Sequence, residues 1–501
     1  MKNQVQLITY ADRMSGKTLA LLDKCLTEKL IAVFNGGVHI LPFYESIHGA
    51  DAGFDPLDHT QVDHTLGQWS DVQKITAHTP VMADVIVNHM SRHSPQFVDY
   101  FENGQASKYA DLFLTREHIY PDGITQEQQN QIYRPRPTSP FTPHKLKDGT
   151  TQHFWTTFTS DQIDINVATE TGQAYLKSIF KSLQNAGVRY ARLDAIGYAV
   201  KRASTSCFML PETFSFIDDI SRIAKLHHIE VLVEIHSHYE TQIEIASKVD
   251  RVYDFALPPL LLHSLFTSDL KSLKHWLSIR PTNCVTVLDT HDGIGIIDIG
   301  SDKQSGRPGL VSPQQLDELI ERIHSNSNGQ SRLATGHAAS NVDLYQVNCT
   351  YFDALGRDEW AYLVARAIQF FLPGVPQVYY VGLLAGTNDM ALLEKTKVGR
   401  DINRRYYTPE NFSAEIKRPV VQDLIALIKF RNQHPAFAGV FKCHTTSDTC
   451  LHLEWAYQAQ SVQLKLDLSK RSILILATDD RGQLSDTTSQ FLTCLLERTL
   501  R

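Results

Sequence analysis

Apolar residues fall first in short unbroken runs and then, past Phe437, in strict alternation with polar ones. The runs lie at Val5 to Tyr10, Gly37 to Pro42, Val81 to Asn88, Tyr190 to Ala195, Glu230 to Ile235, Arg251 to Leu257, Val285 to Asp289 and Gln377 to Val381. Strands covered on both faces read this way, so the runs predict buried parallel strands. Between several of them apolar positions return at helical spacing. Gln173 to Asn185 places Tyr175, Leu176, Ile179, Phe180 and Leu183 on one stripe, and Phe214 to His227 does the same with Phe216, Ile217, Ile220 and Ile223. Strands alternating with helices predict an α/β fold, a closed (β/α)8 TIM barrel.

The strands are unevenly spaced. The long stretch after the third is rich in Gly, Pro and polar residues and contains Tyr133-Arg134-Pro135-Arg136-Pro137. A structureless loop of that length is rare in a compact domain, so an inserted subdomain is expected. The stretch from Ile294 to Arg357, rich in Gly, Ser and Asn, reads the same way. Leu451, Leu453 and Trp455, then Val462, Leu464, Leu466 and Leu468, alternate with polar residues. They predict a small C-terminal antiparallel β domain with one solvated face. The expected division is a barrel from residues 1–86, 170–293 and 359–436, inserted subdomains at 87–169 and 294–358, and the β domain at 437–501.

Composition narrows the function classes. A chain of 501 residues, 42% hydrophobic and 21% charged, is globular and too long for one simple core. A net charge of −7 gives no support for a nucleic-acid partner. Seven widely spaced cysteines without a Cys-x-x-Cys pair predict free thiols in a reducing compartment, the cytoplasm. No basic segment followed by a long apolar run precedes the first strand, so no signal peptide is expected. Ala367 to Asn388 is uncharged and long enough to suggest a membrane span. Pro373, Pro376, Gln369 and Gln377 inside it predict instead a helix end, a turn and a buried strand, with no membrane partner.

Three apolar runs close on carboxylates: Ala191-Arg192-Leu193-Asp194, Val231-Leu232-Val233-Glu234 and Val287-Leu288-Asp289-Thr290-His291-Asp292. One such acid marks a strand–loop boundary. Three of them at the carboxyl ends of barrel strands, with Arg192 and His291 alongside, fit the chemistry of a glycosidic bond. That chemistry needs one carboxylate to attack, one to donate a proton and one to steady positive charge.

Asp84-Val-Ile-Val-Asn88-His89, Arg192-Leu-Asp194-Ala-Ile-Gly197-Tyr198, Glu234-Ile-His236 and Asp289-Thr-His291-Asp292 resemble the signature regions of the alpha-amylase clan of retaining glycoside hydrolases. Val5 to Asp12, Gly49 to Asp55, Tyr133 to Pro137, Asp343-Leu344-Tyr345-Gln346 and Gly399-Arg400-Asp401-Ile-Asn403 narrow the resemblance to the sucrose phosphorylase family. The resemblance implies Asp194 as nucleophile, Glu234 as acid/base and Asp292 as stabiliser of the oxocarbenium-like transition state. It implies that Arg192 keeps Asp194 ionised, and that His89 and His291 bind glucose hydroxyls. Asp51 and Arg400 would pair across the closed end of the glucose pocket, Phe54 and Phe158 would face the ring, and Gln162 would lie on the acceptor side. Arg136 would bind phosphate, with Asp343, Leu344, Tyr345 and Gln346 completing an acceptor site used in turn by fructose and phosphate.

The implied partners are sucrose, inorganic phosphate, glucose 1-phosphate and fructose, with no cofactor and no metal. The implied assembly is a homodimer. Asn88 matches a position that binds calcium in many amylases of the clan, but one Asn supplies too few oxygens for such a site. Ala199-Val200-Lys201-Arg202 departs from the usual phosphorylase pattern. The alternatives are a relative acting on sucrose 6'-phosphate or glucosylglycerate, a sucrose hydrolase or transglucosylase, and a non-catalytic sugar-binding scaffold. The scaffold would be expected to lack one of the three carboxylates.

Overall fold

The computed structural model describes residues 1–30, 32–47, 50–134, 138–302, 306–335, 346–478 and 482–493. Eight parallel strands close into a barrel: β1 (Gln6–Thr9), β2 (Gly37–Ile40), β3 (Val81–Ile86), β4 (Tyr190–Asp194), β5 (Glu230–Val233), β6 (Val252–Asp254), β7 (Cys284–Thr286) and β8 (Val375–Tyr379). Each pairs with its sequence neighbours, and β8 closes on β1 with Gln6 opposite Gln377. Every residue of β3 is buried, as a strand covered on both faces must be.

These are the eight runs expected from the sequence, with shifted ends. β7 stops at Thr286, so Asp289 to Asp292 ride on the loop beyond it. β8 begins at Val375, and Tyr380–Leu383 turns helical instead of extending the strand. Gly374 (φ +121°) makes the preceding turn, and a Cβ there would come within 2.7 Å of the Cys284 carbonyl oxygen.

Helix α1 (Glu170–Asn185) starts earlier than its apolar stripe because the Thr169 side chain accepts from Gly172 N–H. Helix α2 (Pro211–Leu226) starts on a proline, which lacks the N–H a first turn leaves unbonded. α1 buries its whole expected stripe, Tyr175, Leu176, Ile179, Phe180 and Leu183, and α2 buries Ile217 and Ile220 of its own. No helix among the described residues is long and apolar enough to cross a membrane.

Inside the barrel runs a column of polar side chains. Gln377 Nε2 donates to Gln6 Oε1 (2.7 Å), and Tyr253 Oη donates to Gln377 Oε1 (3.1 Å). Nearer the carboxyl ends, His39 Nε2 lies 2.9 Å from Asp84 Oδ2, and Arg192 Nη1 lies 2.5 Å from Asp84 Oδ1. β3 and β4 pair Asp84 with Arg192 in register, so the sheet itself brings the two together. Unpaired polar groups here would cost stability; paired, they hold the next layer of side chains in place.

The described residues between 87 and 169 form short helices and antiparallel ribbons. One ribbon pairs His89–Ser91 with Gln162–Asp164, placing Gln162 opposite Ser91. After β7, Ile294–Gly295 pairs with Gln346–Val347, and helix α3 (Pro313–Asn326) follows on a Ser312 capping box. Helix α4 (Glu359–Phe371) leads back to β8. The C-terminal sheet is an antiparallel meander: β9 (Val440–His444), β10 (Cys450–Tyr457), β11 (Gln460–Asp467), β12 (Ser472–Thr478) and β13 (Leu484–Asp486). Leu451, Leu453 and Trp455 point inward along β10, and Trp455 Nε1 donates to the Phe371 carbonyl (2.6 Å), tying the sheet to α4.

Candidate active site

Asp194 is the last residue of β4, and Glu234 follows β5 directly. Asp292 arrives on the loop after β7, where Arg366 holds Asp289 from behind by two contacts of 2.8 and 2.7 Å. The three carboxylates line one cavity at the carboxyl ends of the strands. Their side chains are only 14, 13 and 9% exposed, so each charge is largely withdrawn from water. Single donor atoms of Glu234, His236 and Asp292 lie within 4.8 Å of one another.

Arg192 organises the group. Its Nη1 lies 2.8 Å from Asp194 Oδ1 and 2.5 Å from Asp84 Oδ1, and its Nη2 lies 3.6 Å from Glu234 Oε1. It is almost fully buried and stands behind the carboxylates, not on the cavity wall. Ala195, just after Asp194, has φ 55° and ψ 20°, a left-handed conformation that costs about 1–3 kcal/mol for a non-glycine residue. Its N–H points to Glu234 Oε2 at 3.5 Å.

Burial raises the Asp194 carboxyl to about 8; Arg192 opposes the shift, while Glu234, Asp84 and Asp292 add to it. The resemblance implied an ionised Asp194. Arg192, 2.8 Å from Asp194 Oδ1, is the contact that favours the ionised form. Asp292 goes the other way. Burial penalises its charge, yet the guanidiniums of Arg400, at 2.7 Å, and Arg404 hold its pKa far below the usual carboxylate range.

Phe54 stacks flat on His291, with ring centroids 4.7 Å apart and planes 5° apart. Burial keeps His291 neutral, with its pKa well below the usual imidazole value. His89 is likewise lowered by burial, and its Nε2 lies 3.0 Å from the Phe54 carbonyl oxygen. Asp51 and Ala52 both sit in the left-handed region (φ 46° and 53°), and this turn puts the Asp51 carboxylate on the cavity wall. Phe158 completes this side, 5.2 Å from His89 between ring centroids.

Eleven expected residues thus line the one cavity: Asp51, Phe54, His89, Phe158, Gln162, Asp194, Glu234, His291, Asp292, Gln346 and Arg400. One placement differs from expectation. Arg400 reaches Asp292, and no Asp51–Arg400 ion pair occurs among the described residues. The more deeply buried charge on Asp292 is the costlier one to leave unpaired. Gln162 sits with Asp51 and Phe54, donating to the Asp51 carboxylate at 3.4 Å and the Phe54 carbonyl at 3.3 Å, because its ribbon runs beside His89. Arg136, Asp343, Leu344 and Tyr345 lie outside the described residues.

Sequence reasoning passed over an aromatic wall of Tyr133, Tyr198 and Phe208. Tyr133 and Tyr198 stood inside quoted motifs; Phe208 carried no signal. Lys201, noted only within a stretch that departs from the family pattern, turns out to be buried. That ammonium lies 2.7 Å from Asp164 Oδ2 and 3.1 Å from Asn88 Oδ1, and contacts the Tyr198 carbonyl. The Asn88 oxygen considered for a cation therefore faces a lysine.

A closed parallel barrel with one carboxylate ending β4, a second after β5 and a third after β7 defines an alpha-amylase-type enzyme. The family model for the alpha-amylase catalytic domain matches residues 32–256. A sucrose phosphorylase from Agrobacterium vitis is 54% identical over 478 residues, covering 95% of this chain and 98% of its own. One from Bifidobacterium adolescentis is 52% identical, over 93% of this chain and 92% of its own. The crystal structure of a sucrose 6F-phosphate phosphorylase from Thermoanaerobacter thermosaccharolyticum superposes with a TM-score of 0.89 at 36% identity, covering 97% of each chain. The chain belongs to the sucrose phosphorylase family.

Proposed function

We propose that the protein catalyses the reversible phosphorolysis of sucrose to α-D-glucose 1-phosphate and D-fructose, with retention, by double displacement. Asp194 attacks the anomeric carbon and forms a covalent glucosyl ester, while Glu234 gives its proton to the departing fructose oxygen. Phosphate then attacks the ester as Glu234 takes the proton back, and Asp292 steadies the positive charge in both transition states. The reactive form has Asp194 ionised and Glu234 protonated. The shorter contact of Arg192, 2.8 Å to Asp194 against 3.6 Å to Glu234, favours that placement.

The observation that carries this reading is the convergence of three largely buried carboxylates on one cavity, two of them, Asp194 and Glu234, held by Arg192. The full-length similarity to sucrose phosphorylases supports phosphate as the acceptor. Incubation with sucrose, with and without phosphate, tests it. Phosphate-dependent glucose 1-phosphate is expected; the same glucose release in both would make the protein a hydrolase. Fructose, fructose 6-phosphate and glycerate, compared in the synthetic direction, separate it from relatives with other acceptors.

Arg136 supplies the phosphate contact in this reading, and Tyr133, three residues before it, lines the cavity. Arg136→Ala is expected to weaken phosphate use about 10- to 100-fold, the worth of a charge-assisted hydrogen bond, with a smaller loss of sucrose hydrolysis. Equal losses in the two assays would reject the role. The proposal places the enzyme in the cytoplasm as a homodimer. The free thiols of Cys25, Cys207, Cys284, Cys349, Cys443 and Cys450 support a reducing compartment, and light scattering should give the mass of two chains.

A further inference from the structure

His236 stands two residues past Glu234 and faces the same cavity. Its ring lies flat on Phe255, with centroids 3.8 Å apart and planes at 15°. Nδ1 lies 3.0 Å from Oδ2 of Asp298, a fully buried carboxylate that reaches across from the segment after Asp292. The other Asp298 oxygen accepts from Ser237 N–H (3.2 Å) and Gln242 Nε2 (2.5 Å), so both oxygens are committed. A Cβ at Gly295 would come within 2.3 Å of Asp298 Oδ2 and 3.2 Å of His236 Nδ1, so the close approach of carboxylate and ring depends on a glycine there.

With Nδ1 turned to Asp298, Nε2 faces Glu234 Oε1 at 3.8 Å and Gln346 Nε2 at 3.3 Å. Gln346 Oε1 accepts from Gly293 N–H (3.0 Å), which leaves its amide nitrogen as a donor beside Nε2. Resting on the proposed phosphorolysis, we propose that Asp298 is a positioning residue: it locks His236 so that Nε2–H, beside the Gln346 amide, donates to an oxygen of the incoming acceptor next to Glu234.

The charge of His236 follows from its neighbours. The groups facing it are the carboxylates of Asp298, Glu234 and Asp292, the uncharged Gln346 and the Phe255 ring. Burial lowers its pKa, but Asp298, then Glu234 and Asp292, carry it up to about 9. The imidazolium is present below that value and is lost as pH rises through it. An anionic acceptor such as phosphate gains from this charge; a neutral one such as water does not.

The test combines NMR of histidine-labelled protein, with His236→Gln to assign the resonance, and kinetics of Asp298→Asn. In the parent, His236 should titrate well above the ordinary imidazole value of about 6.5. In Asp298→Asn its titration should move down, the KM for phosphate at neutral pH should rise about tenfold, and sucrose hydrolysis should fall less. Asp298→Glu should recover part of the phosphate affinity. The proposal is overturned if His236 in the parent titrates at or below the ordinary value, or if Asp298→Asn lowers phosphorolysis and hydrolysis alike. The parent titration decides the matter if the variant does not fold. If the parent makes no glucose 1-phosphate, the functional reading fails, while the titration still judges the Asp298–His236 pair.

Discussion

Asp194→Ala should lose phosphorolysis and hydrolysis together, each by about 10^4-fold or more, because both reactions pass through the same glucosyl ester. The substitution removes the attacking group and leaves Arg192 with Asp84 and Glu234 as partners. Parallel rate measurements with phosphate and with water as acceptor check it. Residual turnover above about a hundredth of the parent rate would reassign the nucleophile. Selective loss of one activity would mean that the two reactions do not share an intermediate.

Lys201→Met should destabilise the fold by about 3–5 kcal/mol, the usual cost of leaving one member of a buried ion pair behind. The two side chains are 2 and 1% exposed, so water cannot take over the lost contact. Thr157 donates to both oxygens of Asp164, through its N–H (3.0 Å) and its hydroxyl (2.5 Å), and these two bonds would remain without a counter-charge. Urea unfolding measures the loss. Adding Asp164→Asn to Lys201→Met should recover a large part of it, since the stranded charge is gone. A change below about 1 kcal/mol in the single variant would show that the pair contributes little net stability.

The barrel was legible because apolar runs without alternation have few other meanings, and their carboxyl ends are where chemistry-bearing side chains collect. Asp194 and Glu234 were legible for that reason. Asp292 was legible as a motif, though the first residues of its loop, Val287 to Asp289, read as strand. What stayed hidden were polar groups whose partners are remote in sequence. Gln6 finds Gln377, 371 residues away, and Arg192 finds Asp84, 108 residues away. A buried lysine such as Lys201 looks like any surface lysine until the fold closes over it. Asp298 lies 62 residues from His236, with nothing in its neighbourhood to mark it. The Asp51–Arg400 pair was misjudged because sequence does not rank which of two carboxylates will be buried more deeply.

The measurement that bears most directly on the account is capture of the glucosyl–enzyme itself. A fluorinated glucosyl fluoride, which slows the second displacement more than the first, would be incubated with the protein, followed by proteolysis and mass spectrometry of the peptides. The account predicts one glycosyl group, esterified to Asp194 on the peptide containing Ala191-Arg192-Leu193-Asp194. A glycosyl group on any other side chain, or product formation with no adduct on Asp194, would contradict it.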